Sequence, residues 1–486
     1  MLVLSLKYHK IGGYEVETDF YADYIFNTKK ILDGDFSIDN FGFKGPLYYL
    51  LLAAFKLVFG EFFRAGLVLN VLSAGGVVFF IHLTVRALFG QRTAVLATLF
   101  SISSFAFLHY TYSVGSDMPA CFFSFVSMYC LLGTKPTRTS VVLSGVFAGL
   151  AYLTRCNYIF MVPASIISIF VMERRNGLAK KGFIASCAFA ASYCFTLIPW
   201  LIPYWIVKRK VFPSEGLFVV KMQMETHIFN PSGGSTSIMD IITGDPFGFL
   251  NALVLNVKEY LILDFTELLH PVSGGLVAIG IVVWIVLAIT GRMKHSMKKL
   301  SFFLFPLFHF GLLTLIHYNI RFSFFRLPFY SSLIFVPVIH FSSILKRTMP
   351  RILFSCLFAG TLLKFAVGYR NVVSYHEERT DPIEIFQAAE IINGYDLDAT
   401  CGIMTRRPHL SYYTNLKNVM LPSNVRNFKE LNEFIRIENV KFFWIDTFVI
   451  SICPSFEFMI RDVREYPGYS PVFTCPFGVL YRIDLD

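Results

Sequence analysis

The sequence predicts a polytopic α-helical membrane protein with a small α/β domain at its C-terminus. The 486 residues are 55% hydrophobic and only 16% charged, against about 25% charged in ordinary soluble domains. Residues 183–207, 274–291 and 327–345 contain no charged side chain. Each is near the roughly 20 residues that a helix needs to cross the hydrocarbon core. From about residue 376 onward, polar and apolar residues alternate and turn residues return, as expected of a water-soluble domain.

Ten stretches of the sequence are apolar enough to be membrane spans. Lipid offers the backbone no hydrogen bonds, so each span must be a helix. A shorter apolar run at 46–60 starts at Gly45-Pro46, and we interpret it as a re-entrant or interfacial helix because a span is longer. The predicted spans are 64–83, 93–114, 118–133, 139–154, 156–172, 183–207, 273–291, 300–317, 327–345 and 352–368.

Basic residues are concentrated in alternate connections between these spans. The positive-inside rule places such connections in the cytoplasm. Residues 7–63, the long loop 208–272 and everything after 368 then lie outside the cytoplasmic membrane. Topology therefore explains the net charge of +10, and we expect no nucleic-acid partner. The basic residues of the cytoplasmic set are Arg86, Arg92, Lys135, Arg138, Arg174, Arg175, Lys180, Lys181, Arg292, Lys294, Lys298, Lys299, Lys346, Arg347 and Arg351.

These patterns divide the chain into three parts. Residues 1–63 combine MLVLSL, interpreted as the outer end of a truncated first helix, with the first extracytoplasmic loop. Residues 64–375 form a transmembrane helical domain that includes the long loop 208–272. Residues 376–486 form a soluble extracytoplasmic domain. There ATCGIMT and KFFWIDT are typical of strands and NFKELNEFIRIENV has helical period, which favours a small α/β fold.

Acidic and aromatic residues alternate in the first external segment. A solvated loop explains the acids by themselves, but the aromatics indicate that part of the segment is packed. A carboxylate held at a partly dry surface can act as a general base. The acids are Glu15, Glu17, Asp19 and Asp23, and the aromatics among them are Phe20, Tyr21 and Tyr24.

Further ionisable residues lie at predicted span ends on the same external side. Lys44 precedes the 46–60 run, where it either extends to the interface as many lysines do or binds a lipid phosphate. Asp117 either caps the next helix or has a functional role at the membrane boundary. Arg155, Arg321 and Arg326 lie at two further external turns. Together they would suit a phosphate-bearing lipid substrate.

Several motifs in this order resemble the GT-C class of membrane glycosyltransferases. They are KGPLYYLLL, SDMPACFF, GLAYLTRCNYIF, HYNIRFSFFRLPFYSSLIF and, in the tail, GIMTRRPHLSYYTNLKNVMLP. The most similar branch is the prokaryotic part of the dolichyl-phosphate-mannose–protein mannosyltransferase superfamily, which includes the aminoarabinose transferases for lipid A. The resemblance covers nearly the whole chain, and the order of the motifs is more specific than any one of them.

The resemblance assigns roles to individual residues. The first-loop catalytic acid falls on Asp19, the lysine that contacts the donor phosphate on Lys44, and the acid of the second external turn on Asp117. The mannosyltransferases proper carry adjacent Asp-Glu in the first loop, whereas this chain has Glu17-Thr18-Asp19. The choice of base between Asp19 and Glu17 is therefore open.

The function that the resemblance implies is transfer of a sugar from a polyprenyl-phosphate-linked donor to a hydroxyl acceptor, with inversion, outside the cytoplasmic membrane. The acceptor is a lipid, a glycan or a protein. No redox cofactor is needed and no metal-ligand pattern stands out, although a divalent metal is left open. Alternatives are a membrane transporter or lipid-linked saccharide flippase, a polysaccharide polymerase or ligase, and a non-catalytic scaffold. Transporters place ionisable groups at mid-membrane and often carry repeated halves, which this sequence does not show.

Overall fold

The chain forms two compact units. The computed structural model describes residues 2–14, 17–41, 45–133, 137–174, 178–209, 242–290, 297–316, 318–342, 349–377, 382–398, 400–422 and 425–485. The first unit, here called the helical unit, comprises Met1–Leu6 and Asn27–Tyr375. The second, here called the mixed unit, comprises Lys7–Phe26 and His376–Asp486. The grouping of Lys7–Phe26 with the C-terminal residues was not predicted from the sequence.

Helices alternate with short 3₁₀ and π-helical turns in the helical unit, and the first two helices and the last one extend into the mixed unit. The helices of the first half of the chain are α1 Leu2–Tyr8, α2 Ile25–Leu32, α3 Leu47–Phe59, α4 Phe62–Phe89, α5 Gln91–Ile102, α6 Phe105–Tyr112, α7 Asp117–Met128, α8 Arg138–Thr154, α9 Met161–Arg174 and α10 Ala179–Lys208. They are followed by α11 Pro246–Leu263, α12 Pro271–Ile289, α13 Met297–Leu313, α14 Ile320–Ser323, α15 Leu327–Ser342 and α16 Met349–Glu377.

Among the described residues, six helical segments are long and apolar enough to cross a membrane: Phe62–Phe89, Cys156–Glu173, Ala179–Lys208, Pro246–Leu268, Ile320–His340 and Arg351–Ser374. The pair α5 and α6 meets the same criteria together but is bent by 67°. A multi-pass membrane protein is thus confirmed. Each of the ten predicted spans contains a helix, but the helices over 118–133, 139–154, 273–291 and 300–317 are not among these six.

The prediction that 208–272 is a loop throughout is wrong for its second half. Helix α11 occupies Pro246–Leu263 and continues through a π-helical turn, Asp264–Leu268. Its start is well specified, because the Asp245 side chain accepts a hydrogen bond from the Gly248 N–H at 2.9 Å and a proline follows directly. A spanning α11 would add a crossing between 183–207 and 273–291, so the sidedness of the loops stays a prediction.

Glycines allow close approach of backbones beside α8. A Cβ on Gly145 would lie 2.5 Å from the Phe189 carbonyl oxygen of α10, so this contact requires a glycine. Gly45 has a φ of 101° and a Cβ there would lie 2.3 Å from the Leu153 carbonyl oxygen. The start of α3 is therefore held against the end of α8, next to Arg155.

The mixed unit contains one five-stranded sheet with the order β2-β1-β3-β5-β4. Its strands are β1 Gly402–Met404, β2 Lys417–Val419, β3 Val440–Asp446, β4 Tyr469–Cys475 and β5 Gly478–Ile483. The pairs β1–β2 and β1–β3 are parallel, and the two pairs that involve β5 are antiparallel. Its helices are α17 Glu384–Asn393, α18 Pro408–Thr414, α19 Phe428–Ile437, α20 Thr447–Ile452 and α21 Phe458–Arg461. The predicted α/β character is confirmed.

Residues of both the strands and the helices form the hydrophobic core of the mixed unit. Phe443 and Ile445 of β3 are fully buried and pack with Leu431 of α19 and Tyr481 of β5. Helix α19 places its apolar residues on one face, as predicted from its period. The mixed unit therefore has its own hydrophobic core.

Candidate active site

Glu17 is buried and has local partners. Its side chain is only 5% exposed. Its two carboxylate oxygens lie 2.9 and 3.0 Å from His9 Nε2, and the Gly13 N–H donates to Oε2 at 2.7 Å. Because His9 and the Gly13 N–H bind both carboxylate oxygens, Glu17 stabilises the conformation of the first segment.

Asp19 lies at the start of a π-helical turn, Phe20–Tyr24, and is half-buried. The turn is anchored by the Phe20 N–H, which donates to the Glu17 carbonyl at 3.0 Å. Phe20, Tyr21 and Tyr24 are all buried, so the expected packing of this segment is confirmed. Asp19 is therefore a partly exposed residue at the start of a hydrogen-bonded turn.

Asp117 and Arg155 form an ion pair in the helical unit. Arg155 Nη1 lies 3.0 Å from Asp117 Oδ2 and donates to Ser116 Oγ at 3.1 Å. Asp117 is the first residue of α7, and Ser116 occupies the capping position without a side-chain capping bond. The carboxylate of Asp117 thus has an arginine partner, which the helix-capping alternative does not explain.

Arg321 shares an aromatic neighbour with this pair. The Arg155 guanidinium carbon lies 5.2 Å from the centre of the Phe322 ring, and that of Arg321 lies 4.8 Å from the same ring. Both distances are in the range of cation–π attraction. We call Asp117, Arg155, Arg321 and Phe322 the arginine cluster. Two guanidiniums and one carboxylate leave it with a net positive charge, which suits an anionic ligand.

Arg326 is placed differently. It lies inside the helical unit with its side chain 1% exposed, and its Nη2 is 2.8 Å from Asp264 Oδ2. The rings of Tyr260 and Phe310 lie 5.4 and 5.2 Å from the guanidinium. The structure does not bring Arg326 to the arginine cluster as a surface cation, since a carboxylate already pairs with it.

Lys44 and Glu15 lie outside the described residues. The neighbouring Gly45, however, contacts the Leu153 carbonyl as described above, and Leu153 is two residues before Arg155. Among the residues that the structure describes, no group of three or more His, Cys, Asp or Glu side chains is arranged to hold a metal ion.

Comparison with solved structures identifies the fold. The chain is similar to ArnT from Cupriavidus metallidurans bound to undecaprenyl phosphate, with a TM-score of 0.63 and 13% identity over 99% of this chain and 96% of that one. It is also similar to the oligosaccharyltransferase AglB from Archaeoglobus fulgidus in complex with an inhibitory peptide and a dolichol-phosphate, with a TM-score of 0.55 and 13% identity over 90% of this chain and 66% of that one. The chain has the GT-C glycosyltransferase fold.

A family comparison agrees with this result. Residues 43–201 match the family Dolichyl-phosphate-mannose-protein mannosyltransferase. That range includes Lys44, Asp117 and Arg155 but not Asp19, Arg321 or Arg326. No curated protein sequence matches the chain. The resemblance stated from the motifs is therefore confirmed at the level of the GT-C class.

Several residues that contact the candidate groups were not predicted from the sequence. Asp264 lies in the predicted loop 208–272, and the apolar Phe322 has no charge or polar group that would mark it beside its charged neighbours. In the mixed unit, Arg407 and His409 contact the segment that carries Asp19. Both residues belong to the motif TRRPH, whose two arginines and one histidine are the signal in the sequence.

Proposed function

We propose that the protein transfers a sugar from a polyprenyl-phosphate-linked donor to a hydroxyl group of a lipid, glycan or protein, outside the cytoplasmic membrane and with inversion. The observation that carries this proposal is the arginine cluster, in which Arg155 pairs with the Asp117 carboxylate and Arg321 lies against the same Phe322 ring as Arg155. Two residues of the cluster, Asp117 and Arg155, lie in the stretch that matches the mannosyltransferase family. Relatives of the same fold were solved with undecaprenyl phosphate or dolichol-phosphate.

In this proposal Asp19 is the general base. It takes the proton of the acceptor hydroxyl while the oxygen attacks the anomeric carbon of the donor. The bond between that carbon and the phosphate oxygen breaks in the same step, so the anomeric centre inverts. Glu17 is a less suitable base because His9 and the Gly13 N–H already bind its oxygens.

The cations act on the leaving group. When the sugar leaves, the lipid phosphate gains negative charge, and positively charged groups stabilise that charge as it develops. We assign this role to Lys44, Arg155 and Arg321, with Asp117 orienting Arg155. We assign Arg326 a structural role, since its side chain is buried against Asp264.

Deletion of the gene in its own host tests the proposal. The masses of the envelope glycolipids and glycoproteins would be compared between the deletion strain, the strain complemented with wild type, and one complemented with Asp19→Asn. A product lighter by one sugar residue in the deletion and Asp19→Asn strains, restored by wild type, supports transfer. A flippase would require transport in place of chemistry, so purified protein that moves a labelled donor across vesicles without forming a new glycoside would contradict the proposal.

A further inference from the structure

The Arg407 side chain contacts the N-terminal segment of the mixed unit in two ways: it donates a hydrogen bond to the backbone of that segment, and it lies against an aromatic ring. Its Nη1 donates to the Tyr14 carbonyl at 2.8 Å, and its Nε lies 3.4 Å from Asp446 Oδ2. The guanidinium also lies between two rings, 4.4 Å from Tyr14 and 4.3 Å from Phe448. A planar guanidinium is the side chain that can make all of these contacts at once.

His409 makes a second contact with the same segment. It is fully buried, and its Nε2 lies 2.9 Å from the Gly12 carbonyl oxygen. Burial lowers the pKa of His409 to about 3, so the ring is neutral and Nε2 must carry the proton that it donates to Gly12. The His409 ring packs on Tyr21 with 4.2 Å between ring centres.

Tyrosines complete the attachment on both sides of Asp19. The Gly12 N–H donates to the Tyr21 hydroxyl at 3.0 Å, which itself lies 3.3 Å from the Tyr413 hydroxyl. The Tyr14 hydroxyl donates to Glu384 at 3.1 Å, and burial raises the pKa of Glu384. Backbone or side-chain contacts at Gly12, Tyr14 and Tyr21 therefore bracket Asp19.

The holding groups lie at a specific edge of the sheet. Arg407 follows β1, where its N–H donates to Thr405 Oγ1 at 2.9 Å, and Pro408 then begins α18. Asp446 ends β3, the parallel neighbour of β1, and caps α20 by accepting from the Val449 N–H at 2.8 Å. Small α/β domains bind their ligands at the carboxyl ends of parallel strands. Here that edge binds a segment of the same chain.

We infer that the C-terminal α/β domain holds the catalytic segment, with Arg407 and His409 as positioning residues that bind the backbone before Asp19, at Tyr14 and Gly12, while the His409 ring packs on Tyr21 after it. The inference rests on the proposed role of Asp19 and extends it. A general base must lie within hydrogen-bond reach of the proton that it removes, and a displacement of about 1 Å can lower a rate about 10²-fold. In this inference the domain affects the rate of transfer through the position of Asp19.

The test compares Arg407→Ala with Arg406→Ala in the full-length protein. Arg406 is a matched control, because it precedes Arg407 directly and its Nη2 donates to the Leu421 carbonyl at 2.7 Å within the C-terminal domain. Hydrogen exchange of peptides that cover residues 9–24 should become at least tenfold faster in Arg407→Ala and stay unchanged in Arg406→Ala. For Arg407→Ala, kcat should fall about 10²-fold while donor affinity stays unchanged.

A second pair of variants guards against a general folding defect. His409→Gln retains an N–H donor for the Gly12 carbonyl and should keep most of the protection, whereas His409→Ala should lose it. Unchanged exchange in both Arg407→Ala and His409→Ala would overturn the holding role, and faster exchange with normal kcat would overturn the positioning role. If wild type itself transfers no sugar, the proposed function fails, while the exchange data still decide whether the domain holds this segment.

Discussion

The carboxylate of Asp264 lies 2.8 Å from the guanidinium of Arg326, and both side chains are buried, with 0% and 1% exposed. The Tyr330 hydroxyl donates to the same carboxylate at 2.6 Å. The pair joins the π-helical turn that follows α11 to the 3₁₀ turn that follows α14. That second turn lies next to Arg321 and Phe322, so the ion pair supports one side of the arginine cluster.

The first prediction concerns this buried pair. Asp264→Ala leaves the Arg326 charge buried without its partner, and such a change costs about 3–5 kcal/mol. We expect a large fall in the thermal stability of the purified protein in detergent. In the double variant Asp264→Leu with Arg326→Met, no charge remains unpaired, and most of the stability should return. Equal stability of Asp264→Ala and wild type would contradict the role of the pair.

A solvent-exposed pair provides the comparison. Lys417 and Glu438 lie 2.7 Å apart with 56% and 31% of their side chains exposed. Glu438→Ala should change stability by about 0–1 kcal/mol, as is usual for surface ion pairs. If Glu438→Ala lost as much stability as Asp264→Ala, the measurement would not distinguish a buried ion pair from an exposed one.

The helix that carries Asp264 shows why part of the fold was not predictable. Lys258 and Glu259 lie within α11, and Asp264 and Glu267 follow them closely. These charges interrupt the apolar run, so the sequence has no long uncharged stretch there. In the structure the Asp264 charge is paired by Arg326, which is 62 positions further along the chain. A local pattern contains no information about such a partner.

The candidate site divides in a similar way. The alternation of acids and aromatics around Asp19 correctly predicted a packed segment, because burial of aromatics follows from local composition. Its partners could not be predicted: Tyr14 and Glu384 are 370 positions apart. Likewise, Asp117 and Arg155 were each selected as candidates, but their contact depends on how α7 packs against α8.

The second prediction concerns sidedness. The basic loops predict that the 134–139 connection is cytoplasmic and that residues 376–486 are external. In a cysteine-free background, Arg464→Cys should react with an impermeant thiol reagent in intact cells, since that side chain is 66% exposed. Thr139, also exposed, lies in the connection that is predicted to be cytoplasmic. Thr139→Cys should therefore react only after the cells are permeabilised. Labelling of Thr139→Cys from outside would reverse the assigned topology.

The third prediction concerns Gly45. Gly45 has a φ of 101°, which is unfavourable for alanine. An alanine Cβ would also lie 2.3 Å from the Leu153 carbonyl oxygen, so the backbone at one of the two residues must move. We expect Gly45→Ala to shift the backbone at Gly45 and Pro46 away from the end of α8 and to weaken donor binding. Gly60→Ala is the control: its φ of 80° is similarly strained, but nothing lies within 4 Å of its Cβ. Equal donor affinity in both variants would contradict a specific contact at Gly45.

The fourth prediction concerns the arginine cluster. Arg155→Ala removes one charge-assisted contact to the donor phosphate, worth about 1.5–3 kcal/mol, so donor affinity should fall about 10- to 100-fold. Arg155→Lys should recover little, because lysine cannot bind Asp117 and Ser116 while stacking on Phe322. Exposed Arg92 at the start of α5 serves as the control. An Arg92→Ala variant that loses as much affinity as Arg155→Ala would indicate a general effect of charge.

The fifth prediction separates the two acids of the first segment. Asp19→Asn keeps the size of the side chain but removes the base, so kcat should fall by about 10²–10⁴ while donor affinity is retained. Glu17→Gln weakens the contacts to His9 and Gly13, so it should lower thermal stability more than it lowers kcat per folded molecule. Both variants would be assayed for single-turnover transfer with the donor saturating. Normal transfer by Asp19→Asn together with complete loss in Glu17→Gln would assign the base to Glu17. Normal transfer by both would remove the base from this segment and make Asp117, already paired with Arg155, the next acid to replace.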